Sequence, residues 1–227
     1  MMEEVLPLLH EYARVHLPFV LMYLGTVAHE IGDLDRARTL LGEAAAVQTI
    51  PNPGWQQAAL VAQVYLARLN GDVVALNRAL DDLVRLPWGK FVPDDGEVLL
   101  PVAEALMVAG RAEEACGLAA ARRPDVERWD APAQLGMLEI LEARLAAHYG
   151  DLPLAARRLE QALHRGAACE NILVQIQVRE LQGQLFADPT AQEALRALLG
   201  RVIATLPEDR RAAFLSGPRA AALRGAP

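Results

Sequence analysis

In 227 residues the chain has one lysine, Lys90, and one serine, Ser216. Each scarcity excludes a chemistry. A P-loop needs Gly-x4-Gly-Lys followed by Ser or Thr, whereas Lys90 is followed by Phe91 and lacks that glycine spacing. A Gly-x-Ser-x-Gly nucleophile elbow is excluded because Ser216 stands in Leu215-Ser216-Gly217-Pro218. Two cysteines, Cys116 and Cys169, cannot build a disulfide framework, and neither lies in Cys-x-x-Cys. They are expected to be small reduced side chains in a cytoplasmic protein. His29-Glu30 begins a zinc-protease pattern, but Asp33 stands where the second histidine is needed. No apolar run reaches the ~18 residues of a membrane span, and the first residues lack a basic leader. The expectation is a non-enzymatic chain with no cofactor, no metal and no membrane segment.

What is present favours helices. The chain is 53% hydrophobic but only 5% aromatic, and alanine with leucine makes up about a third of it. Ala, Leu, Glu and Arg are good helix formers, while strand-favouring residues are scarce. The net charge of −7 argues against a general nucleic-acid binder, which needs a basic face. The 21 arginines against one lysine are a coding bias rather than a chemistry.

Four glycines set a period. Gly32, Gly71, Gly110 and Gly150 are 39, 39 and 40 residues apart, and three are followed by Asp33, Asp72 and Asp151. Glycine tolerates a left-handed helix end, and aspartate caps the next helix. Seven residues before the glycines stand Gly25, Val64, Ala103 and Ala143; five after stand Ala37, Leu76, Ala115 and Ala155. Such spacings keep small residues on one stripe, where antiparallel helices approach closely. The pattern predicts first helices over 17–31, 55–70, 95–109 and 131–149, with partners over 34–48, 72–86, 111–122 and 151–166. A fifth pair is expected at 170–187 and 190–205, turning at Asp188-Pro189-Thr190. Breakers separate the units at Pro51-Asn52-Pro53-Gly54, Pro87-Trp88-Gly89 and Arg123-Pro124-Asp125. Residues 1–16 hold a terminal helix (3–15), a cap or the remnant of an earlier repeat. Residues 206–227 form a closing segment with a capping helix over 208–224. The three tryptophans, Trp55, Trp88 and Trp129, fall at the linkers and are expected to cover the seams there.

This arrangement resembles the tetratricopeptide repeat over 17–205. The first and fourth units carry the likeness best: Leu24-Gly25, Ala28, Gly32-Asp33-Leu34, Ala37, Leu41 and Ala44, then Ala143, Ala146, Gly150-Asp151-Leu152, Ala155, Leu159 and Ala162. The period is longer than the usual 34 residues, and most aromatic packing positions hold Leu or Ala. Long degenerate repeats of this kind resemble the sensor regions of bacterial signalling ATPases and transcriptional regulators. The resemblance implies an all-α right-handed solenoid of about five antiparallel helix pairs with capping helices at both ends. It also implies a concave groove, lined by first helices, that holds a partner peptide or helix. Counted back from each turn, the groove candidates are Met22, His29, Tyr65, Arg68, Arg144 and His148, with the two arginines as polar anchors. A ligand-sensing role inside a larger regulator is the alternative. Leucine-rich ends also permit a homo-oligomer.

Overall fold

The computed structural model describes residues 16–47, 53–86, 95–128, 130–217 and 219–223. The expected helix over 3–15, the linker residues 51–52 and 87–89, and Trp129 lie outside them. Among the described residues the protein is all-α, with eleven α-helices, a short 3-10 turn and no strand. The helices are α1 (Leu17–Glu30), α2 (Leu34–Ala46), α3 (Pro53–Asn70), α4 (Val73–Val84), α5 (Asp95–Val108) and α6 (Ala112–Arg128). They continue with α7 (Pro132–His148), α8 (Leu152–Ala168), α9 (Ile172–Phe186), α10 (Pro189–Thr205) and α11 (Glu208–Ser216).

The glycine period works as a turn device. Gly32, Gly71, Gly110 and Gly150 have φ of +84°, +66°, +76° and +82°. Immediately beyond each, a backbone N–H reaches back over the helix end: Asp33 to the Ala28 carbonyl (2.9 Å), Asp72 to Ala67 (2.9 Å), Arg111 to Leu106 (2.8 Å) and Asp151 to Ala146 (2.8 Å). That bond closes a left-handed helix cap. Asp72 and Asp151 then accept from the N–H of Ala75 and Leu154, both at 2.9 Å. In the third turn Arg111 instead forks onto Glu114 at 2.6 and 2.7 Å. Replacing Asp72 or Asp151 with alanine is expected to cost about 1 kcal/mol each. Urea unfolding followed by circular dichroism measures it.

The chain groups into two compact units: Met1–Val92 with Glu208–Arg219, and Pro93–Pro207 with Ala220–Pro227. In the first unit α1 packs on α2, α2 on α3 and α3 on α4, and α1 also packs on α3. In the second unit each helix from α5 to α9 packs on its successor, and α5, α7 and α9 pack in sequence on one another. First helices are therefore flanked on several sides. In α7 every residue from Leu135 to Leu141 is buried, which no single-faced amphipathic helix could show. Close approach depends on small residues. A Cβ on Gly25 would stand 2.6 Å from Leu41 Cγ, and one on Gly166 would stand 2.7 Å from Val174 Cγ1.

Two expectations need correction. The breaker at Arg123-Pro124-Asp125 does not end its helix: α6 runs through Pro124 to Arg128 rather than stopping at 122. Pro124 is exposed, as is Ala120, whose carbonyl would have taken the missing hydrogen bond, so water can satisfy it. Ion pairs from Arg122 to Asp125 (3.2 Å) and from Arg123 to Glu127 (2.9 Å) span the proline. The closing helix over 208–224 is also shorter. It ends at Ser216, and a 3-10 turn over Arg219–Leu223 follows Gly217-Pro218.

Candidate functional site

The six groove candidates divide between the two units. In the first, Met22 is 1% exposed and belongs to the core, while Tyr65 is nearly enclosed. The ring of His29 meets Tyr65 edge-on, with centroids 5.6 Å apart. His29 Nδ1 stands 3.7 Å from Glu30 Oε1, too long for a hydrogen bond. Burial pushes the Glu30 carboxyl up, but His29 and Arg219 outweigh it and hold the group below its ordinary value. Arg68 is exposed and makes no ion pair among the described residues. In the second unit Arg144 Nε lies 3.0 Å from Glu104 Oε1, tying α7 to α5. His148 is exposed and meets the ring of Tyr149 edge-on at 5.1 Å. The structure thus brings His29 and Tyr65 together, gives Arg144 an internal partner and leaves Arg68 and His148 at the surface. Met22 went to the core because first helices are covered on more than one side.

The second unit holds a charged ladder that the sequence reading did not single out. Glu139 and Glu142, three apart on α7, face Arg165 and Arg158, seven apart on antiparallel α8. Arg165 Nε donates to Glu139 Oε1 at 3.0 Å, and Arg158 Nε lies 3.0 Å from Glu142 Oε2. From the other side Arg123 of α6 forks onto Glu142, with Nε to Oε1 at 2.8 Å and Nη2 to Oε2 at 2.6 Å. Burial would lower the Arg123 pKa, but Glu142 and Glu127 raise it further. One carboxylate therefore joins α6, α7 and α8. The signal was present as two glutamates three apart inside the apolar Leu138-Glu139-Ile140-Leu141-Glu142 run.

Above this ladder lies an open cavity of about 360 Å³. Ala119 and Ala120 of α6, Leu145 and Ala146 of α7, and Leu154 of α8 supply its apolar walls. Glu142 and Arg158 form a polar edge, and Cys116, Tyr149 and Asp151 complete the lining. Asp151 is engaged in capping α8. Desolvation, then the neighbouring Cys116, pushes the Tyr149 phenol above its usual value. The charged groups of the lining are thus committed to one another or to a helix cap, while the walls are free. A cavity this size sits at the lower end of small-molecule sites and suits one large apolar group. Among the described residues no group of three His, Cys, Asp or Glu is placed to hold a metal ion. None of their helices is long and apolar enough to cross a membrane. Compared with known proteins, the chain matches no family model, no curated protein and no solved structure.

Proposed function

We propose that the chain is a tetratricopeptide-like helical-repeat module that recognises a segment of a partner protein and carries out no chemistry of its own. The repeated hairpin with its left-handed glycine, and the packing of each first helix on the next, support a solenoid-like build within each unit. The observation that carries the reading is the open cavity between α6, α7 and α8. Its walls are apolar and its charges are already paired, so it favours an apolar side chain over a charged group. An aromatic or leucine side chain of a bound helix or peptide would seat there, as anchor residues do in groove recognition. The accessible feature therefore involves second helices α6 and α8 as well as α7, whereas Met22 and Tyr65 of the expected first-helix lining are buried. Exposed Arg68 remains available as a polar contact in the other unit.

The test is to select binding peptides from a random display library against the full chain, then measure their affinity by fluorescence anisotropy. Ala120→Trp fills the cavity from an exposed position and spares the core. It should weaken peptides with an apolar anchor at least about tenfold, since burying one such side chain is worth about 1.5–3 kcal/mol. Undiminished affinity in the folded variant would remove the cavity from the recognition surface.

A further inference from the structure

In the first unit the α1–α2 turn, apart from the cavity, is covered by a distant part of the chain itself. Helix α11 belongs to this unit although about 120 residues separate it from α4. It lies against the α1–α2 turn so closely that a Cβ on Gly32 would stand 2.6 Å from the Gly217 Cα and 3.1 Å from the Ala213 carbonyl. Arg210 Nη1 donates to Asp33 Oδ2 at 3.0 Å across 177 residues of sequence. Arg219 pairs with Glu30. Arg210, Ala213 and Gly217 are spaced three and seven apart, so they share one face of α11. The turn supplies the complementary charge, with Glu30, Asp33 and the negative end of α1. Two glycines, one on each side, let the backbones touch.

The contact combines one apolar anchor, Phe214 at 4% exposed, with part-exposed ion pairs on a short helix. The four charged groups are between 18% and 33% exposed, so water still shares part of their charge. A nine-residue helix has marginal stability by itself. Leu206-Pro207 separates α11 from α10, so it can lift without unwinding its neighbour. Its short length and this hinge favour local opening of α11, and the burial of Phe214 is what opening has to overcome.

We propose that the α1–α2 turn is a docking surface for a basic helix end of a partner protein, held closed in cis by α11. A partner helix with the pattern Arg-x2-Ala-Phe-x2-Gly-x-Arg would replace α11, with its arginines on Asp33 and Glu30 and its glycine against Gly32. In the closed form the tethered helix competes at high effective concentration, so a partner sees only the fraction of molecules that are open.

The experiment uses the full chain and a fluorescein-labelled peptide of residues 206–223 as the probe. Arg210→Glu with Arg219→Glu weakens the cis contact and leaves the turn intact. The peptide should bind this variant at least tenfold more tightly than the parent chain. It should lose that affinity when its own arginines are replaced by glutamate, or when Asp33→Asn is added to the chain. Equal binding to variant and parent, or binding to neither, overturns the proposal. Gly217→Ala is a milder way to open the latch if the double variant fails to fold, because its Cβ would stand 3.1 Å from the Gly32 Cα. Hydrogen exchange on the parent gives a second reading. The amides of α11 should exchange before those of α1–α4, and earlier still at high salt. Exchange of α11 only in step with the whole unit overturns the latch.

Discussion

Gly25→Leu is expected to lower the stability of the chain by about 3 kcal/mol, while Gly42→Ala, across the same hairpin, raises it by up to about 1 kcal/mol. Both glycines are helix-internal, so both forgo the helix propensity that alanine would supply. They differ in what a side chain would meet. At Gly25 the first added carbon stands 2.6 and 2.8 Å from Leu41 side-chain carbons and 3.2 Å from the Leu41 backbone nitrogen, with α2 directly behind. Leu41 is fully buried and cannot yield without disturbing the core. At Gly42 nothing lies within 4 Å, so alanine gains propensity without a clash. Thermal and urea unfolding of the two variants separate the effects. A Gly25→Leu chain as stable as its parent would show that α1 and α2 are not in close contact at this point.

The contrast also shows how far the sequence could be read. Its period located Gly32, Gly71, Gly110 and Gly150, and all four carry the positive φ that a helix end of this kind demands. Three further positions just past helix ends use the left-handed conformation without glycine, at Asp130 (φ 48°), Glu170 (φ 54°) and Ala187 (φ 51°). There the tertiary setting imposes a backbone that the residue does not advertise. At Glu170 the cap is otherwise the same: the Asn171 N–H reaches the Gly166 carbonyl at 2.8 Å, and the Asn171 side chain caps α9. Pro124 misled in the opposite sense. Proline removes one hydrogen bond, and on an exposed stretch braced by ion pairs that loss is tolerated. The site was harder to read than the fold. Counting back from a turn gives the face of a helix but not what covers that face, so Met22 counted as lining and is core. Glu139, Glu142 and Arg158 acquire meaning only once α7 and α8 are known to be antiparallel and in contact.

Replacing Arg165 with methionine should cost about 2 kcal/mol at neutral pH, and most of that loss should vanish in acid. Glu139 is 1% exposed, with Oε1 bonded to Arg165 and Oε2 buried without a hydrogen-bond partner. Burial pushes its carboxyl up, and Arg165, with Arg123 and Arg158, brings it back only in part, so it stays above the ordinary value. Between the ordinary and the raised pKa the folded chain holds a proton that the unfolded chain has released. Stability therefore falls as pH rises through that window and is greatest below it. Without Arg165 the ionised carboxylate keeps no direct partner, and the raised pKa moves higher still. Breaking a fully buried pair costs about 3–5 kcal/mol. Arg165 is 37% exposed, so water already shares its charge and the expected loss is smaller. Glu139→Met combined with Arg165→Met should return to within about 1 kcal/mol of the parent, because an apolar pair avoids the cost of burying an unpaired charge. Glu139→Gln alone should leave a stability that no longer declines across this pH window. Urea midpoints of the four chains at pH 4.5 and pH 7.5 test the scheme, and an Arg165→Met loss of equal size at both pH values would exclude Glu139 as its origin.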